Sequence, residues 1–159
     1  MAVRVETAPF DVGAETARLT AGRRDVGAVA SFIGIARETN PDEGAEPVLA
    51  MTLEHYPGMT ERQLEAVEAE ARQRWPLLDC LIVHRHGRFE PGDPIVLVLT
   101  LSSHRQAAFD ACAFLMDYLK TRAPFWKQEE TASGKRWVNA RASDDAAAAR
   151  WAADAKSTE

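Results

Sequence analysis

The sequence predicts an α+β fold in which helices pack on a mainly antiparallel sheet. Apolar runs rich in β-branched residues, at 26–35, 77–84 and 94–101, indicate strands. Apolar side chains recur at helical spacing over 64–75 and 108–119, which indicates two amphipathic helices. The strands and helices do not alternate in the βα order of a doubly wound fold, and no glycine-rich phosphate loop follows a strand.

The two long helices have predicted starts and ends. Thr60 and Ser103 are each followed three residues later by glutamine, so each is expected to open a helix as part of a capping box. Pro76 blocks continuation of the first helix, and Pro124 blocks that of the second. Lys120 is therefore expected in the last turn of the second helix.

Shorter elements complete the predicted fold. Asp11 can cap a short helix that ends near Thr20. Residues 48–55 alternate between apolar and polar side chains, as a half-buried strand does. Residues 125–131 and 135–138 flank a short glycine-containing turn and are expected to form a hairpin.

One domain with a tail is expected. Residues 1–141 form the predicted domain, and the alanine-rich tail at 142–159 is expected to be helical in part, with Ser143 as a cap. Residues 37–47 contain two prolines, a glycine and four acids, which is typical of an exposed mobile loop.

Composition restricts the class of protein. A chain of 159 residues with 46% hydrophobic and 27% charged residues is typical of a single globular domain. The net charge of -5 disfavours general binding to nucleic acid or to acidic membranes. The apolar runs are too short to cross a bilayer, and the first residues lack a secretory h-region, so we expect a cytoplasmic protein.

The cysteines and histidines give no metal or disulfide pattern. Cys80 and Cys112 lack CxxC or histidine spacing and are expected to be buried thiols. His84 and His86 share a strand end, but no third ligand lies at a useful spacing. We therefore predict neither a metal nor a cofactor.

The informative cluster is basic. His104 and Arg105 lie at the start of the second long helix, Lys120 and Arg122 near its end, and Lys127 just beyond it. Cations at a helix N-terminus oppose the helix dipole and favour an arriving anion, although a solvated surface remains an alternative. About 24 Å of helix separates His104 from Lys120, so one small ligand cannot touch both within one chain. Either a second protomer completes the site, or the two ends bind different anions.

Six short motifs, in order along the chain, carry a family resemblance. The chain resembles the catalytic, large subunit of molybdopterin synthase through Leu53–Met59, Arg74–Pro76, His84–Gly87, Pro91–Asp93, Ser103–Arg105 and Met116–Lys127. The resemblance implies an α/β hammerhead-type fold with an additional β-hairpin subdomain, and a homodimer at the core of a heterotetramer. It also implies a small ubiquitin-like sulfur-carrier subunit, whose C-terminal thiocarboxylate supplies two sulfurs to cyclic pyranopterin monophosphate. The product would be molybdopterin.

The resemblance also implies site residues. Lys120 and Lys127 match the two essential lysines of the family, and they would be both catalytic and substrate-binding. The other implied substrate-binding residues are Ile35, Ala36, Arg37, His104, Arg105, Gln128 and Glu129. The segment before Arg37 departs from the usual family pattern, so Ile35 and Ala36 would contribute mainly through their backbone. No motif covers the first 25 residues or the tail after Arg141.

These residue types suit sulfur transfer. Attack by a thiocarboxylate builds negative charge beside a phosphate, and fixed cations stabilise that charge best where water is excluded. Lysine can also exchange a proton, whereas Arg37 and Arg105 are suited to clamp anions. The alternative is a non-catalytic scaffold or anion-binding module that recognises the tail of a small ubiquitin-like partner.

Overall fold

The computed structural model of the protein describes residues 2–39, 46–138 and 142–156. Four helices and eight strands lie in this part of the chain. They are β1 (Val3–Glu6), α1 (Val12–Thr20), β2 (Ala28–Ile35), β3 (Ala50–His55), α2 (Met59–Arg74), β4 (Leu77–Arg85), β5 (Gly87–Phe89), β6 (Pro94–Ser102), α3 (Arg105–Arg122), β7 (Phe125–Thr131), β8 (Gly134–Val138) and α4 (Ala142–Lys156). Part of the predicted loop, residues 40–45, lies outside the described residues.

The strands form two four-stranded sheets. The first has the order β1-β4-β6-β2, in which β1 runs parallel to β4 and the other pairs are antiparallel. The second has the order β5-β3-β7-β8 and is antiparallel throughout. The α+β fold with a mainly antiparallel sheet is confirmed. The hairpin β7–β8 is confirmed too, and its first strand pairs with β3, so the hairpin is built into the second sheet.

Each face of the first sheet has its own core. Residues of β4 and β6 alternate between the two faces because side chains of a strand point in opposite directions at successive positions. One face packs against α2 and α3, with Ile82 and Val98 beneath Leu64 and Phe114. The opposite face carries a second leucine- and valine-rich cluster that includes Leu19 of α1. The central strands β4 and β6 are therefore covered on both faces, whereas edge strand β2 is partly exposed.

The helix caps test the predicted helix starts. Asp11 caps α1 as expected, since its carboxylate accepts a hydrogen bond of 2.8 Å from the Ala14 N–H. The prediction at Thr60 is wrong because α2 begins at Met59, and the Glu61 carboxylate accepts a 2.6 Å hydrogen bond from the Gly58 N–H. The buried Thr60 hydroxyl instead accepts a hydrogen bond from the Tyr56 N–H.

The second capping box is also not formed. Helix α3 begins at Arg105 after His104, and no side chain caps its first turn. The Ser103 hydroxyl donates to the Asp25 carbonyl, 3.2 Å away, and so ties α3 to the segment before β2. At Thr60 and at Ser103, contacts with other segments occupy the hydroxyl that the local pattern assigns to a cap.

The chain termini contribute one strand that was not predicted and a helix that was. Strand β1 was not predicted, and it pairs with β4 at the edge of the first sheet. Helix α4 begins at Ala142, so Ser143 lies inside it and is not its cap. Trp151 anchors α4, because its indole Nε1 donates to Asp117 at 2.7 Å and its ring packs edge-on against Phe114. None of the described helices is long and apolar enough to span a lipid bilayer.

Candidate active site

A cavity of about 480 Å³ lies where the two sheets meet, next to the C-terminal end of α3. Its apolar wall includes Met51 and Leu53 of β3, which belong to a small core shared with Phe89 and Ala36. Four charged side chains of the described residues also line it: Arg37, Lys120, Lys127 and Glu129. The cavity therefore combines an apolar floor with an excess of positive charge.

The end of β2 brings Arg37 to the cavity. Gly34 permits the close approach of β2 to β6, because a Cβ atom there would come within 2.5 Å of a Val96 methyl carbon. The register then shifts after Gly34. Beyond the shift, the Ala36 N–H donates to the Asp93 carbonyl at 2.9 Å, and the Ala36 carbonyl accepts from the Gly92 N–H at 2.7 Å. Two backbone hydrogen bonds thus hold the residue before Arg37.

Lys120 and Lys127 reach the cavity from different elements. Lys120 lies in the last turn of α3, which ends at Arg122. Lys127 lies on β7 directly opposite Leu53 of β3. Because strand side chains alternate, Lys127 and Glu129 share the cavity face, whereas Gln128 lies on the opposite face of the sheet.

Glu129 organises the charges on this wall. Its side chain is only 1% exposed, and its two oxygens lie 3.1 Å from Lys127 Nζ and 3.0 Å from Arg136 Nη2. A buried carboxylate needs such partners, because its desolvation is otherwise costly. Glu129 therefore fixes the Lys127 ammonium at the cavity wall.

His84 supplies a neutral imidazole to the same cavity. Its Nδ1 lies 2.9 Å from the Arg85 carbonyl oxygen, and its ring stacks on Phe125 with centroids 3.8 Å apart. Burial, helped by the nearby Lys120, His55 and His86, lowers the pKa of His84 to about 4, although the hydrogen bond to the Arg85 carbonyl acts in the opposite direction. Since a carbonyl only accepts hydrogen bonds, Nδ1 carries the proton and Nε2 is the acceptor.

Two further histidines, His55 and His86, pack against each other. The His86 ring packs against His55 at 4.2 Å between centroids, and burial together with His55 lowers the pKa of His86. Within the described ranges, no group of three histidine, cysteine or acidic side chains is arranged to hold a metal ion. Burial also raises the pKa of the Cys80 thiol to about 12 and that of Cys112 to about 11, so both thiols are unreactive.

The predicted site residues divide into two groups. The cavity is lined by Ile35, Ala36, Arg37, Lys120, Lys127 and Glu129, but not by Gln128, His104 or Arg105. His104 and Arg105 are exposed at the N-terminal end of α3, about 27 Å of helix from its other end. The sequence patterns did not assign roles to His84, Phe125 or Arg136. The only local signal was a histidine at the end of an apolar strand.

Comparison with known proteins assigns the family. The model of the MoaE protein family matches residues 5–122. A molybdopterin synthase catalytic subunit from Pseudomonas aeruginosa is 60% identical over 151 residues, which covers 95% of this chain and 99% of that protein.

Solved structures agree with this assignment. The molybdopterin biosynthesis MoaE protein from Burkholderia ambifaria is 55% identical, with a TM-score of 0.79 over 96% of this chain and 99% of that one. A complex of subunits 1 and 2 of the molybdopterin-converting factor from Helicobacter pylori shares the fold, at 16% identity and a TM-score of 0.71, over 89% of this chain and 92% of that one. This chain therefore belongs to the MoaE family of molybdopterin synthase catalytic subunits.

Proposed function

We propose that this chain converts cyclic pyranopterin monophosphate into molybdopterin, in the cytoplasm, and that the cavity at the C-terminal end of α3 is where the two sulfurs are transferred. One observation carries the location. Arg37, Lys120 and Lys127 come from three elements and line one cavity, in which Glu129 is the one carboxylate among the described lining residues. Both reactants, a phosphate ester and a thiocarboxylate, are anions that such a cavity attracts.

The roles of the cations follow from their attachment. Arg37 extends from a backbone segment held by two hydrogen bonds and is suited to clamp the phosphate or the pterin. Lys127 is held by Glu129 and keeps a fixed positive charge beside the reacting atoms. The ammonium of Lys120, unlike the guanidinium of an arginine, can exchange a proton as well as stabilise charge. We therefore assign Lys120 the proton-transfer role.

The sulfur reaches this cavity on a small ubiquitin-like carrier subunit. Both lysines line a concave site, which an extended glycine-ended tail can enter where the side chains of a globular surface would clash. The cavity lies beside exposed Ile35, which offers an apolar contact at its mouth. The carrier therefore docks chiefly through its tail.

A second copy of this chain completes the site. His104 and Arg105 are exposed at the far end of α3 and do not line the cavity of their own chain. In a twofold-symmetric dimer the same two surfaces meet twice, so the N-terminal end of α3 in one protomer can close the cavity of its partner. The apolar edge strand β2, on which Val29 is 38% and Phe32 is 39% exposed, offers a surface for this contact. Two carriers on such a dimer make a heterotetramer.

Gln128 does not line the cavity with its neighbours Lys127 and Glu129. Its side chain lies on the face of the second sheet that is turned away from the cavity. A contact between Gln128 and substrate or carrier would therefore form on the outer face of β7, and we assign it no part in the transfer itself.

Reconstitution tests the proposal. Purified chain, thiocarboxylated carrier and cyclic pyranopterin monophosphate are mixed, and molybdopterin is measured. We expect Lys120→Ala and Lys127→Ala each to lower turnover roughly 100- to 1,000-fold while carrier and pterin still bind. Lys135→Ala is the matched control, because Lys135 is 62% exposed on the adjacent strand and pairs with Glu130. Unchanged turnover in both cavity variants would leave only the non-catalytic scaffold.

A further inference from the structure

The imidazole of His84 lines the same cavity as Lys120 but comes from a different element, β4 of the first sheet. Only 6% of the residue is exposed. The hydrogen bond to the Arg85 carbonyl and the stacking on Phe125 fix the position and the rotation of the ring. The cavity thus contains a rigid aromatic base that the roles assigned above do not use.

Burial keeps this ring uncharged, and the basic groups around it act in the same direction. Lys120 approaches it from α3, His55 from β3 and His86 from the segment after β4, and all three are basic groups. A second cation beside Lys120 would repel the lysine, whereas a neutral imidazole offers it a hydrogen-bond acceptor. Because Nδ1 donates to the Arg85 carbonyl, that acceptor is Nε2.

Phe125 connects this ring to both lysines. It is the first residue of β7, directly after the short connection from α3, and so lies between Lys120 and Lys127 in the chain. Its ring stacks almost parallel to that of His84, with an interplanar angle of 20°. The segment between the two lysines is therefore packed on the His84 imidazole through Phe125.

We propose that His84 is a positioning residue for Lys120, whose ammonium is held toward the transferred sulfur by a hydrogen bond to His84 Nε2. The proposal rests on the function proposed above for the cavity. A lysine side chain has four rotatable bonds, and holding it in one arrangement before substrate arrives removes an entropic cost from the reaction. His84 acts through Lys120 and exchanges no proton with the substrate.

Three substitutions of His84 separate the contributions of its two ring nitrogens from that of its stacking surface. His84→Gln places an amide near the position of Nε2, His84→Asn places one near Nδ1 only, and His84→Phe keeps the stacking surface without either nitrogen. We expect His84→Asn and His84→Phe to lower kcat about tenfold with KM for the pterin nearly unchanged, and His84→Gln to stay within about threefold of the wild type. Melting temperatures and carrier titrations of the same samples identify any loss that comes from misfolding.

The same substitutions in a Lys120→Ala background complete the experiment. If His84 acts through Lys120, His84→Asn lowers kcat no further once the lysine is absent. Full activity of His84→Asn and His84→Phe, equal losses in the Gln and Asn variants, or an undiminished effect without Lys120 would each overturn the proposal. If His84→Phe does not fold, the Gln and Asn pair decides. Wild-type turnover in Lys120→Ala alone would instead reject the proposed cavity.

Discussion

The two ends of helix α3 carry the same kind of side chain in opposite settings. At the C-terminal end, Lys120 lines a cavity with Arg37 and Lys127, beside a carboxylate that is 1% exposed. At the N-terminal end, His104 and Arg105 are exposed and line no part of that cavity. Lys120 and Arg37 are exposed as well, so the C-terminal end is set apart by the convergence of three cations on one cavity and not by the removal of water. The N-terminal end has the residues for anion binding but does not line that cavity in its own chain.

The largest expected effect comes from mixed dimers, which test whether the two ends of α3 contribute to one site. We expect Lys120→Ala and His104→Ala each to be impaired alone, the lysine variant roughly 100- to 1,000-fold. If the N-terminal end serves the partner's cavity, half of all dimers are mixed after subunit exchange of equal amounts, and each mixed dimer carries one intact site. Turnover should then recover to about a quarter of the wild-type value, because one of the two sites in each mixed dimer is complete.

Two controls accompany the mixing experiment. Lys120→Ala mixed with Lys127→Ala should not recover, because both substitutions affect the same cavity of one chain. Failure of the Lys120→Ala and His104→Ala mixture to recover, with subunit exchange verified by mass, would show that the two ends of α3 do not share a site.

The next largest effect is expected at the buried carboxylate of Glu129, which lines the cavity at the C-terminal end of α3. Glu129→Gln removes the charge that Lys127 and Arg136 share, and we expect it to lower the free energy of unfolding by about 3 kcal/mol, because it breaks a buried ion pair. Glu130→Gln is the control, since Glu130 is 21% exposed and pairs with Lys135 and Arg88 near the surface. Urea denaturation should find less than about 1 kcal/mol for that variant. Equal losses would mean that burial does not set Glu129 apart.

His84, which lines the cavity, should make the stability of the fold sensitive to acid. His84 has a folded-state pKa of about 4, below the usual 6.5, so its protonation favours the unfolded chain. The stability present above pH 6.5 is therefore lost as the pH falls toward 4. Between pH 6.5 and 5 this loss is about 2 kcal/mol for one proton.

Denaturation curves at several pH values measure that loss. His84→Gln does not titrate, so its free energy of unfolding should fall less steeply than that of the wild type over this range. A His84→Gln curve that runs parallel to the wild type would show that His84 is not held neutral by its burial.

Charge reversal gives the smallest expected effect. Arg37→Glu and Lys127→Glu should each weaken binding of the carrier tail or of the pterin about tenfold at low salt, and less at high salt, where screening reduces the attraction. Lys135→Glu, on the exposed part of β8, should change little. Isothermal titration at two ionic strengths measures these affinities. Equal affinities for all variants would mean that the tail and the phosphate bind elsewhere.

Local patterns determined most of the secondary structure and the family. The apolar runs predicted β4 and β6, and the helical spacing predicted α2 and α3. Period-two alternation places Lys127 and Glu129 on one face of β7 and Gln128 on the other, which the same rule could have indicated once the strand was known. The short motifs identified the family, because their residues stand close together in the sequence.

Only the tertiary structure decided which residues meet. Thr60 and Ser103 match a capping pattern, yet their hydroxyls bond to segments remote from their own helices or ahead of them, because a hydroxyl takes whichever partner the packed chain brings closest. Arg136 and His84 reach the site through strand pairing and ring stacking, which no local spacing encodes. The sequence by itself determined the cations, their order and the strands and helices that bear them. Packing of the two sheets decided that the C-terminal end of α3 lines a cavity and that the N-terminal end does not line it, since a cavity is formed by residues far apart in the chain.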